Sequence, residues 1–183
     1  MKKVMFFVLA AVITLAMTGC AGLGSSGGTE LDRVYIGNQG SESSHQMIVD
    51  RSENGVNIEN WRHAVDGGYF QYTMKTGGNT NVAVKVRFWA YEVGERTFNI
   101  IVEDQKIAEE NVVGRFSGES VRQDFYELIY PIPAEILEGK SSIKVKFQGI
   151  DEYQIAGGVY GLSLVTIAPP PAPEQAGETA AVQ

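Results

Sequence analysis

Strict alternation of apolar and polar residues marks much of the chain. In "NVAVKVRFWAYE" (Asn81–Glu92), Val82, Val84, Val86, Phe88 and Ala90 fall on one face, and Lys85, Arg87, Trp89 and Tyr91 on the other. A period of two predicts a strand with one face buried, because successive side chains of an extended backbone point to opposite sides. "SSIKVKFQGI" repeats the pattern, with Ile143, Val145 and Phe147 inward and Lys144, Lys146 and Gln148 outward. "RTFNIIVEDQKIAEENV" reads as two strands joined at "EDQK", with Phe98, Ile100 and Val102 facing the core. In "GYFQYTMK", Phe70, Tyr72 and Met74 form the more apolar face, leaving Tyr69, Gln71, Thr73 and Lys75 opposite. Further strands are predicted at "DRVYIG", "VRQDFYELIYPI" and "GVYGLSLVTI", separated by Gly-rich breaks such as "KTGGNT". Only "PAEILEGK" (Pro133–Lys140) suggests a helical turn. The polar segment Asn38–Asp66 lacks clear periodicity and reads as a long connection. The pattern predicts an all-β fold, an antiparallel two-sheet β-sandwich.

The two ends of the chain stand outside this pattern. "MKK" followed by the apolar run Val4–Met17 is too short for a comfortable membrane span and reads as a secretory signal. It ends in "MTGC", with the chain's single cysteine, Cys20, after Gly19. This resembles a bacterial lipobox, with Met17 where Leu is usual, and implies cleavage before Cys20 and lipidation there. The chain is then anchored in the cell envelope rather than spanning a membrane, and Ala21 after the cysteine favours the outer membrane in a Gram-negative host. Residues 1–19 are therefore read as a lipoprotein signal peptide, 20–29 as lipidated cysteine and Gly/Ser tether, 30–168 as the β-sandwich, and 169–183 as a disordered Pro/Ala/Glu-rich tail. With no second cysteine, burial alone holds the fold. Loss of Lys2 and Lys3 with the leader takes 15 basic residues to 13 against 22 acidic, a net charge of −9. That balance disfavours nucleic acid and anionic lipid surfaces as partners and leaves neutral ligands open.

Candidate chemistry centres on "WRHAVDGGYF" (Trp61–Phe70) and on the outward end of the Asn81–Glu92 strand. Flat aromatic rings beside charged hydrogen-bond donors suit sugars, whose apolar face stacks while their hydroxyls are held by polar groups. The candidate carbohydrate contacts are Trp61, Arg62, His63, Asp66, Tyr69, Trp89 and Tyr91, with Tyr153 a weaker one. No catalytic residue is assigned: Asp50, Glu53, Glu59 and Asp66 are ordinary acidic loop residues unless a cleft brings two of them together. His45 and His63 have no cysteine partner for zinc. No cofactor is expected, and a structural Ca²⁺ is possible although no dense D-x-D-x-D loop occurs.

"ERTFNIIVEDQKIAEENV", "YPIPAEILEGKSSIKVKFQG" and "AGGVYGLSLV", preceded by "GGYF" and "R-F-W" strands, resemble the β-sandwich accessory domain of glycoside hydrolases of families 127 and 146, the β-L-arabinofuranosidase type. The resemblance spans roughly Leu31–Ile167. It implies a jelly-roll, carbohydrate-binding-module-like sandwich and a substrate-binding role toward arabinose-containing or other polysaccharides. The parent enzymes' catalytic helical barrel, with its zinc-bound cysteine nucleophile, has no counterpart in this sequence. The alternative is a structural lipoprotein whose aromatic patch docks on an envelope protein.

Overall fold

The computed structural model describes residues 28–94, 96–114 and 124–168. The predicted leader, Cys20 and the 169–183 tail lie outside the described residues. In chain order the elements are β1 (Glu30–Val34), α1 (Gln39–Ser44), β2 (Ile48–Val56), β3 (Asn60–Lys75), β4 (Val82–Trp89), β5 (Arg96–Val102), β6 (Gln105–Val112), β7 (Phe125–Pro131), α2 (Ala134–Leu137), β8 (Ser142–Gly149) and β9 (Ala156–Thr166). The fold is all-β with antiparallel pairing, as the alternation predicts. One layer runs β6-β5-β8-β3 and the other β1-β9-β4-β7, since β1 and β4 flank β9. β5 and β6 join through Glu103 and Asp104, both at positive φ, the geometry of a two-residue hairpin turn.

β3 belongs to both layers. Its first part, Arg62–Ala64, pairs with β9, and its second, Tyr69–Lys75, pairs with β8. Between them the strand breaks stride at Asp66 (φ 53°) and Gly67 (φ 69°), while β2 alongside breaks at Arg51 (φ 47°). Such bulges bend a strand sharply, here turning it from one layer to the other. Gly68 lies so close to β2 that a Cβ there would meet the Asp50 carbonyl oxygen at 2.4 Å. The glycine pair of "WRHAVDGGYF" is thus the corner of a strand.

The inward faces fill the space between the layers as the alternation predicts. Phe70, Tyr72, Met74, Phe98, Ile100, Val145 and Phe147 from one layer, and Val82, Val84, Val86, Phe88 and Leu164 from the other, are fully buried. Phe70 stacks on Phe147 at 5.0 Å between ring centroids, and Phe98 reaches across to Phe88 at 6.2 Å. Full burial of each large apolar side chain contributes roughly 1.5–3 kcal/mol.

The reading of Asn38–Asp66 as an irregular connection is corrected: the segment forms α1, β2 and the start of β3. β2 carries no apolar alternation because it is an edge strand in which no residue is fully buried. α1 is a single polar turn, capped by the Asn38 side chain accepting from the Ser41 N–H.

Candidate functional site

The alternation that buries Val84, Val86 and Phe88 turns Lys85 and Arg87 to the outer face of the β1-β9-β4-β7 layer. The β2–β3 turn folds over this face. There Arg87 Nη1 lies 2.6 Å from Glu59 Oε2. The result is an open groove made of two hollows. The first, about 580 Å³, is lined by Arg33, Tyr35, Val56, Lys85, Tyr160 and Ser163 among others. The second, about 590 Å³, is lined by Asp124, Phe125 and Tyr126, and Ile58, Glu59, Arg87 and Glu127 border both.

Apolar surface stands at the groove's rim, with Tyr35 64%, Val56 73% and Ile58 56% exposed. The charges come in pairs: Arg33 with Glu30, Lys85 Nζ with Glu127 at 3.3 Å, and Arg87 with Glu59. Hydrogen bonding from Arg33 holds the Glu30 carboxyl below its usual range. The Arg87 guanidinium also lies over the Phe125 ring at 4.1 Å, and Phe125 packs on Tyr160 at 5.0 Å. Such half-exposed pairs contribute little to stability. They nevertheless set donors and acceptors side by side next to flat apolar surface, which is what a neutral polyhydroxylated ring requires.

The seven carbohydrate contacts picked from sequence do not converge on one place. Trp61 and His63 touch, with ring centroids 4.8 Å apart. Trp61 lies against β2, where a Cβ on Gly55 would fall 2.5 Å from its indole, so its ring braces the hairpin. His63 Nδ1 is 3.4 Å from Arg96 Nη1, and Arg96 pairs with Glu92 at 2.7 Å. Burial, and then the Arg96 charge, push the His63 imidazole below its ordinary value, so it is neutral at pH 7. Trp89 and Tyr91 pack on each other at 5.8 Å, and the Trp89 indole nitrogen is buried with no hydrogen-bond partner among the described residues. Asp66 is exposed at the β3 corner, and Tyr69 lies on the opposite layer beneath Lys146 Nζ at 5.6 Å.

Arg62 requires a correction, because only 4% of it is exposed. Its Nε and Nη2 donate to the two carboxylate oxygens of Glu42, each at 2.8 Å, and the Tyr72 hydroxyl donates to Glu42 Oε1 at 2.8 Å. Burial alone pushes the Glu42 carboxyl up, but hydrogen bonds from Arg62 and Tyr72 outweigh it and hold the group below its ordinary value. Arg62 is a structural cation and not a surface contact.

Lys85 and Arg87 were visible as outward residues of an alternating strand. Tyr35, Ile58, Phe125, Glu127 and Tyr160 were missed as site residues because two strands (β7 and β9), the segment after β1 and the β2–β3 turn bring them together. Of the four acidic candidates, only Glu59 lines the groove. Among the described residues no group of three or more His, Cys, Asp or Glu gathers to hold a metal ion.

Fold and groove together define an all-β, two-layer domain with an open, polar groove on one outer face. The chain belongs to the family described as a family of unknown function (DUF6805), whose pattern matches residues 28–165. It is similar in structure to a family 35 carbohydrate-binding module from Clostridium thermocellum, with 10% identity, 76% of this chain and 99% of that chain covered, and a TM-score of 0.50. A family 35 carbohydrate-binding module from an environmental isolate has 10% identity, coverage of 80% and 96%, and a TM-score of 0.40. A family GH115 4-O-methyl-α-glucuronidase with specificity for decorated arabinogalactans has 15% identity and a TM-score of 0.42, with 66% of this chain and 17% of that chain covered. No curated protein matches the sequence.

Proposed function

We propose that this protein is a non-catalytic carbohydrate-binding module, tethered to the cell envelope through lipidated Cys20, that holds polysaccharide in the groove under the β2–β3 turn. The observation that carries the reading is the groove itself, in which exposed Tyr35, Val56 and Ile58 flank the ion pairs Lys85–Glu127 and Arg87–Glu59. The carbohydrate-binding-module fold supports it, as does the resemblance to the accessory domain of family 127 and 146 glycoside hydrolases, which points to arabinose-containing glycans. A non-catalytic role fits the carboxylates, since Glu59 and Glu127 each face a cation rather than one another across a cleft. The test is a glycan array and affinity electrophoresis with arabinan, arabinogalactan and arabinoxylan, using protein shown to be folded by circular dichroism. Retention on at least one is the expected result; a folded protein retained by no glycan overturns the reading. Metabolic labelling with a palmitate analogue should mark the wild type and not Cys20→Ser.

A further inference from the structure

The groove is divided, and the division has a chemical character. The two hollows, about 580 and 590 Å³, each fall in the range of sites that hold one small molecule, roughly 300–1,000 Å³. Tyr35 and Val56 give the first its own apolar surface, and Phe125 gives the second one. The Glu59–Arg87 pair lines both and is fixed from two sides, by the β2–β3 turn that carries Glu59 and by the Phe125 ring under the guanidinium. Both of its side chains remain more than a third exposed, at 41% and 35%, so their polar atoms stay within reach of a ligand.

We propose, resting on the reading that this groove binds glycans, that the two hollows are adjacent subsites for consecutive units of one neutral saccharide chain. The Glu59–Arg87 pair faces the linkage between the units, offering a donor and an acceptor to the hydroxyls on either side. A single sugar fills one hollow. A longer chain fills both, and its second unit binds as an intramolecular event at high effective concentration. Charge selection follows from the same pairing. Lys85 and Arg87 are already matched by Glu127 and Glu59, so a uronate would have to strip a cation from its carboxylate and leave that carboxylate uncompensated. A hydroxyl accepts from the cation and donates to the carboxylate without breaking the pair.

The experiment is isothermal titration of the full domain with two neutral series, arabinose to arabinotriose and xylose to xylotriose, and with xylotriose carrying a glucuronate branch. Affinity should rise at least about tenfold from mono- to trisaccharide in one series, a gain of about 1.4 kcal/mol. Tyr35→Ala, at an exposed position that leaves folding intact, should bring the trisaccharide down toward the monosaccharide's affinity. The uronate branch should give no gain. Binding that is equal at all lengths, or that strengthens with the uronate, overturns the two-subsite inference and leaves glycan binding standing. Failure of both series to bind overturns the two-subsite inference, and the binding reading falls with it only if the folded protein is also retained by no glycan of the array.

Discussion

Replacing Glu42 by Ala removes the acceptor of three hydrogen bonds at once. Arg62 Nε and Nη2 and the Tyr72 hydroxyl all reach its carboxylate at 2.8 Å. The guanidinium keeps the Ser52 hydroxyl at 3.2 Å, and its charge stays in a site only 4% exposed. Removing one partner of a buried pair costs about 3–5 kcal/mol, because the other charge is left uncompensated out of water. Against a total stability of about 5–15 kcal/mol, that is a large fraction. For a domain of this size it lowers Tm by roughly 10–20 °C. Urea unfolding followed by tryptophan fluorescence, which reports on Trp61 and Trp89, should show the midpoint fall by about 2 M with an unchanged slope. The double variant Glu42→Leu/Arg62→Met should recover most of the loss, because it buries neither charge. A single-variant cost below about 1 kcal/mol, or a double variant as unstable as the single, would refute the assignment of Arg62 to a buried structural pair.

Stability should fall with acidification in two stages. Burial and the Arg96 charge lower the His63 pKa, so below its ordinary value of 6.5 the unfolded chain takes up a proton that the folded one refuses. At lower pH the carboxylates Glu42 and Asp32 act in the same direction. Burial pushes each up, but hydrogen bonds (to Asp32 from the Lys75 N–H and His45) hold both below their ordinary values, so their contribution is lost as pH falls through the carboxylate range. Urea midpoints from pH 8 to pH 3 measure both stages, and His63→Gln should flatten the first alone. Gly157→Ala should cost about 1–3 kcal/mol in the same assay, since φ is 101° and the added Cβ would sit 3.0 Å from the Arg62 carbonyl oxygen. Tyr35→Ala should weaken glycan retention on affinity gels several-fold, whereas Tyr69→Ala on the opposite layer should leave it unchanged; the reverse outcome places the site elsewhere.

The strands whose two faces differ were legible from the sequence. Val82–Phe88, Phe98–Val102 and Ile143–Phe147 alternate because one face of each meets the other layer. β2 was not legible, because an edge strand can pair through its backbone while burying no residue fully. Glu42 escaped notice because a buried carboxylate is betrayed by its partner, and Arg62 lies 20 positions away. The groove was legible only in part. Lys85 and Arg87 could be assigned to the outer face, but their acidic partners come from β7 and from the β2–β3 turn, a juxtaposition that only the folded chain creates.

The chain enters and leaves the domain side by side. Glu30 of β1 stands opposite Val165 of β9, and the Thr166 N–H donates to the Thr29 carbonyl at 2.9 Å. Whatever precedes and follows, the folded body therefore hangs from a single point. A short linker could join these ends and new ones could be opened at the Thr76–Asn81 turn without breaking a strand. By the same geometry the domain could be spliced into a loop of a larger enzyme as readily as it is appended to an end.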